Sequence, residues 1–225
     1  MKFQLFLTAA LTLASIGTAM SNEPSPIPAK PPAGSVVLWN GRDLSGWSVS
    51  FKEPEKVTGQ VWSLHDGALN FRKVDSLGYA RTEKSYGDYH LHVEWRWPEG
   101  AGNSGVLLHM QAPDVVWPTC MEAQLKSGTA GQLIAMTTLD FEGGAMDHNR
   151  RRKSPITPSV EKPLGEWNRY DIFCRGNTVE VYINDQLVNS VEKVSYSSGY
   201  IGLQIEGAAV EFKNVWLLPL AAKKP

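Results

Sequence analysis

The chain has 225 residues, 22 Lys and Arg against 23 Asp and Glu, and a formal net charge of −1. That balance excludes the basic surplus that drives binding to a nucleic-acid backbone. Two cysteines exclude a disulfide-dense scaffold and a four-cysteine zinc site, while eight Trp and twenty Gly invite an all-β reading.

Lys2, the apolar run Phe3 to Ile16 and the small residues Gly17-Thr18-Ala19 form the pattern of a secretory signal peptide. The run is too short for a membrane span. Residues 1–20 are therefore expected to be removed, which places the protein in the periplasm or outside the cell. No integral membrane segment is expected in the mature chain. Residues 21–34, with Pro24, Pro26, Pro28, Pro31 and Pro32, read as an extended linker. Residues 35–219 then form one domain, followed by a short tail at 220–225.

From Ser35 the rhythm is strand and turn. Val36 to Trp39 is a short apolar strand. Val61 to His65 alternates, breaks at Asp66-Gly67 and resumes at Ala68 to Arg72, which predicts a hairpin. Tyr89, Leu91, Val93, Trp95 and Trp97 share one strand face, and His90, His92, Glu94 and Arg96 share the other. Asn103-Ser104-Gly105 turns into Val106 to Met110, and Thr119 to Lys126 alternates again. Met136 to Leu164 is polar and Pro-containing, and reads as a long loop that is functional or mobile. Trp167 to Cys174, Val179 to Ile183 and Leu187 to Val191 are consecutive antiparallel strands. Gly199 to Ile205 and Val210 to Leu217 close the chain. About a dozen strands without a sustained helical period predict a two-sheet antiparallel β-sandwich.

Two strands carry the polar pattern of most interest. Cys120, Glu122, Gln124 and Lys126 point one way, while Met121, Ala123 and Leu125 point the other. Leu107 and His109 share a face of the preceding strand. If the two strands are neighbours, His109 faces Glu122 and Gln124, with Trp117 at the rim. Planar polar groups that bind hydroxyls, beside an aromatic ring that covers a sugar face, make a carbohydrate site. The plainer alternative is the polar outer face of any antiparallel sheet.

Other clusters have plainer readings beside functional ones. His90, His92 and Glu94 could ligate a metal or form a solvated strand face. Asp140, Glu142, Asp147 and His148 could hold a cation or belong to a charged loop. Arg150 to Lys153 reads as a solvated basic segment. Cys120 and Cys174 could pair in an oxidising compartment or be two buried residues on separate strands. No nucleophile elbow, phosphate loop or zinc-protease helix motif is present. Glu122 is the persuasive inward carboxylate, with Glu206 a second candidate.

The segment Leu38-Trp39-Asn40-Gly41-Arg42-Asp43-Leu44-Ser45-Gly46-Trp47 closely resembles the opening of the 3-keto-disaccharide hydrolase domain family. Asp66-Gly67, Tyr86-Gly87-Asp88-Tyr89, Asn103-Ser104-Gly105, Glu122-Ala123-Gln124, Gly165-Glu166-Trp167-Asn168 and Gly202-Leu203-Gln204 follow in the family's order. The resemblance covers Leu38 to about Leu218. It implies an extracytoplasmic concanavalin A-like jelly roll and hydrolase or lyase action on glycosides oxidised to a ketone at carbon 3.

Such a ketone acidifies the proton on carbon 2. Elimination then needs one base and a stabiliser for the enolate. On this resemblance Glu122, His109 and Lys126 are expected to be catalytic, and Gln124, Asn103, Trp117 and Gln204 to bind substrate. One divalent metal ion held by His109 and Glu122 could polarise the ketone. The alternative is a non-catalytic glycan-binding module on the same sandwich. In both readings the partner is a carbohydrate.

Overall fold

The structure, a computed structural model, describes residue 28 and residues 30–221. The expected signal peptide, most of the linker and the last four residues of the tail lie outside the described residues.

The first half of the chain forms β1 (Val36–Val37), β2 (Trp47–Phe51), β3 (Trp62–His65), β4 (Ala68–Phe71), β5 (Gly78–Thr82), β6 (Tyr89–Arg96), β7 (Gly105–Met110) and β8 (Cys120–Gln124). The second half forms β9 (Leu133–Met136), β10 (Ala145–Asp147), β11 (Arg150–Lys153), β12 (Asn168–Arg175), β13 (Thr178–Ile183), β14 (Gln186–Val191), β15 (Tyr200–Ile205) and β16 (Val210–Pro219). One sheet runs β14-β13-β12-β6-β16-β4-β3, with β1 also on β16. The other runs β10-β11-β9-β8-β7-β15-β5-β2. The protein is therefore all-β, as the turn rhythm predicted, and the two sheets form a concanavalin A-like sandwich.

The core follows from alternation. Leu91, Val93 and Trp95 of β6 and Tyr170 and Ile172 of β12 face inward. They meet Val106 and Leu108 of β7, Met121 and Ala123 of β8, and Leu133 and Ala135 of β9. Period-two side chains on two facing sheets generate one apolar layer. Asp66 and Gly67 both take positive φ between β3 and β4, the backbone that a two-residue hairpin turn requires.

Two sequence expectations are corrected, and one open alternative is decided. The segment from Met136 to Leu164 holds the last residue of β9 and the hairpin β10–β11, which adds two strands to the second sheet. His148 and Asn149, both at positive φ, make its turn. His90 and His92 are not a solvated strand face, because both are buried on the outer face of the first sheet. His90 Nε2 and His92 Nδ1 each lie 2.8 Å from Asp171 Oδ1, and Trp216 stacks on His92 at 4.7 Å. Cys120 and Cys174 are free and buried on different sheets, so they behave as the small apolar residues of the second alternative.

Candidate active site

All five residues of β8 are buried, although three of them point away from the core. Of their outer row, Glu122 and Gln124 line the floor of a cleft of about 450 Å³. Walls rise on both sides. Asn103, Gln204 and Glu206 line it on the β15 side. Trp117, Arg150 and Arg152 line it elsewhere, and Lys126 sits at the rim.

Gly105 makes room for the central carboxylate. A Cβ at that position would lie 2.8 Å from Glu122 Oε1 and 2.9 Å from its Cγ. The glycine lets the Glu122 side chain fold over β7 rather than extend into solvent. Segment 102–105 is tied down on both sides. Ser104 Oγ donates to Gln204 O at 2.8 Å, Leu125 N donates to Ser104 O at 2.8 Å, and Ser127 N donates to Gly102 O at 3.0 Å. Gln124 is held through its backbone, whose carbonyl accepts from Tyr170 Oη at 2.5 Å and from Gly131 N at 2.9 Å.

Glu122 is 2% exposed. Its pKa is raised to about 8, chiefly by burial and then by the nearby Glu206 carboxylate, with Arg150 and Arg152 pulling the other way. Its Oε1 has no hydrogen-bond partner among the described residues. Neither does Oδ1 of Asn103 or Oε1 of Gln204, itself 2% exposed. Buried polar atoms without partners are costly and concentrate where a ligand completes them. Three such oxygens around one cleft make it the candidate binding site.

Trp117 reaches the cleft on the loop between β7 and β8. Arg81 Nε and Nη2 donate to the two carboxylate oxygens of Asp114 at 2.6 Å each, which pins that loop. The Trp117 ring lies 6.5 Å from Tyr79, tilted against it. It packs on a small apolar patch formed by Leu107, Met110, Cys120 and Met136.

The structure brings together six of the seven expected site residues: Glu122, Gln124, Lys126, Asn103, Trp117 and Gln204. His109 is the correction. Between β7 and β15 the register slips, so that Tyr200 pairs with Met110 and Gly202 with Leu107. One extra residue on β7 forms a β-bulge, with His109 at φ 51. Alternation is thereby reset. Met110 takes the cleft-side position, and His109 turns between the sheets onto Tyr89, with ring centroids 5.8 Å apart. Burial lowers its pKa to about 4, which leaves it neutral near pH 7. His109 and Glu122 therefore do not form the metal-binding pair expected from sequence.

Two cleft residues escaped the sequence reading. Arg150 and Arg152 point into the cleft from β11, while Arg151 and Lys153 point away. Arg151 binds Asp140 at 2.5 Å and Lys153 donates to Ser190 O at 2.5 Å. The signal was present as an i, i+2 pair of arginines after a His-Asn turn. It was hidden by the apparent loop composition around it.

Among the described residues the chain forms a sixteen-stranded concanavalin A-like sandwich with a polar cleft on one sheet, an architecture found among carbohydrate-active proteins. Within that class a family model for the 3-keto-alpha-glucoside-1,2-lyase-like domain matches residues 34–218, and the chain belongs to that family. A proposed glycosyl hydrolase from Parabacteroides distasonis is similar at 26% identity and a TM-score of 0.59, over 84% of this chain and 94% of that one. The carbohydrate-binding module CBM66 from Bacillus subtilis shares the fold at 16% identity and a TM-score of 0.54, over 76% and 93% of the chains. The β-glucanase of Bacillus licheniformis does so at 13% and 0.55, over 84% and 99%. No curated protein matches the chain.

Proposed function

We propose that the protein is an exported enzyme that cleaves 3-keto-glycosides by elimination. The observation that carries this reading is Glu122, a buried carboxyl group with a pKa raised to about 8 on the floor of a polar cleft. A base is most effective when its pKa lies near the working pH. Ionised Glu122 removes the proton on carbon 2, and the electron pair moves toward the ketone oxygen on carbon 3. The enolate is held by the Lys126 ammonium and by amide N–H groups of Asn103, Gln124 and Gln204. As the enolate collapses back to a ketone, a carbon 1–carbon 2 double bond forms and the bond from carbon 1 to the leaving oxygen breaks. The leaving oxygen takes a proton from the now neutral Glu122 or from water. Water added at carbon 1 of the resulting 2-hydroxy-3-keto-glucal gives the 3-keto sugar.

This chemistry needs one base and an oxyanion site, which matches a cleft with one deeply buried carboxyl group at its centre. Incubation with an aryl 3-keto-glucoside should release the aryl alcohol and form the glucal or its hydrate, followed by absorbance and mass spectrometry. Absence of release from any 3-keto-glucoside, together with retained sugar binding, would assign the cleft to a non-catalytic glycan-binding module.

A further inference from the structure

The cleft has two chemically different ends. At one end stand Asn103, Gln124, Lys126 and Gln204. Gly105 pairs with Gln124, and Ser127 N donates to Gly102 O, so these groups share one level of the sheet. At the other end Cys120 pairs with Met136, and Met136 and Trp117 give the cleft an apolar floor, backed by the buried side chains of Cys120 and Met110. Glu122 lies between them, paired with Ile134, which pairs with Arg152. Moving from Arg152 to Arg150 along β11 runs toward the Met136 end, because β9 and β11 are antiparallel. Arg150 thus stands beside the apolar floor.

Arg150 differs from its neighbours in sequence. Arg151 is tied to Asp140, Lys153 to a backbone carbonyl, and Arg152 Nε lies 3.0 Å from Asp147 Oδ2. Arg150 has no ion-pair or hydrogen-bond partner among the described residues, yet its side chain lines the cleft. Glu206, the other acid of the cleft, stands at the far corner beside Asn103, to which it is bridged. Four strand spacings separate β11 from β15, on the order of 19 Å of backbone, and no ion pair joins Arg150 to Glu206. A guanidinium beside a flat apolar floor suits a planar ligand with an acidic edge.

The elimination fixes which part of the substrate lies there. Carbon 1 and carbon 3 flank carbon 2. With Glu122 beneath carbon 2 and the ketone toward the ammonium and amides, the leaving group points toward Trp117 and Arg150. We propose that the enzyme acts on 3-keto-glycosides whose aglycone has a flat apolar body and an anionic substituent, with Trp117 against the body and Arg150 on the anion. This rests on the lyase reading for the direction in which the substrate lies. A two-residue step along a strand, about 7 Å, separates Glu122 from the Arg150 level, comparable to the span of a substituted benzene ring.

The test compares 4-carboxyphenyl 3-keto-glucoside with its neutral 4-carbamoylphenyl analogue, which has the same shape. The carboxylate should show at least a tenfold lower KM, and raising salt from 50 to 500 mM should shrink that preference. Arg150→Gln should abolish the preference and Arg150→Lys restore part of it. Trp117→Ala should weaken both substrates alike. Equal KM values in the wild type, or a preference that survives Arg150→Gln, would overturn the proposal while leaving the lyase reading in place. Failure to turn over either compound would defeat the lyase reading. Calorimetry with the two unoxidised glucosides then decides the charge preference by the same criteria.

Discussion

Glu122 combines three local conditions that are seldom met together on a sheet face. Alternation turns it outward from the core, neighbouring side chains cover it, and Gly105 leaves space for its carboxylate. The first condition is visible in the sequence, because Met121 and Ala123 mark the opposite face. Coverage is not, since it depends on strands far away in the chain. The pH dependence follows from the raised pKa. Below about pH 8 the folded protein holds Glu122 as a neutral acid, which cannot accept a proton. In a pH–rate profile, kcat/KM should therefore rise tenfold per pH unit up to about 8 and level off above it. A profile that falls across that interval would contradict the base role. Gly105→Ala should push the carboxylate out of place and lower kcat by about 10- to 100-fold, with an unchanged circular dichroism spectrum. Full activity in that variant would show that the placement is not needed.

At the scale of elements, two irregularities decide what belongs to the cleft. A strict period-two reading of β7 places His109 beside Leu107 and hence over Glu122. The bulge defeats it by adding one residue on one side of the β7–β15 ladder. Nothing in the run from Gly105 to Met110 announces this, although His tolerates the left-handed backbone better than most residues. His109→Asn retains that tolerance and removes the imidazole. It should destabilise the protein by about 1–3 kcal/mol through lost packing on Tyr89. Turnover per folded molecule should stay within about threefold, measured with stability and activity on the same preparation. A hundredfold loss of kcat would return His109 to the reaction. The hairpin β10–β11 is the second irregularity. Its strands are short, three and four residues, and its composition is charged. Sheet extension beyond β9 supplies the backbone partners that make such residues a strand.

For the whole molecule, the sandwich was legible because its rule is simple. Of the five tryptophans at motif or core-facing positions, Trp39, Trp47 and Trp95 are buried in the core, whereas Trp62 and Trp167 are only half-buried. Trp117 alone among the tryptophans lines the cleft. The turn residues Asp66-Gly67 and Asn184-Asp185 occupy hairpin turns at positive φ. What the sequence left open was pairing over distance: which strand borders which, and so which polar rows converge. The outer face of the first sheet shows the difference. His90 and His92 look like the cleft row by pattern, yet Asp171 and Trp216 close over them and they line no cavity with Glu122.

The central claim is that Glu122 takes the proton from carbon 2. Single-turnover release of the aglycone from a 3-keto-glucoside, wild type against Glu122→Gln, tests it most directly. The account predicts a loss of about 10²- to 10⁴-fold in rate, with substrate affinity by calorimetry changed less than about tenfold. A Glu122→Gln enzyme that releases aglycone at the wild-type rate would contradict it.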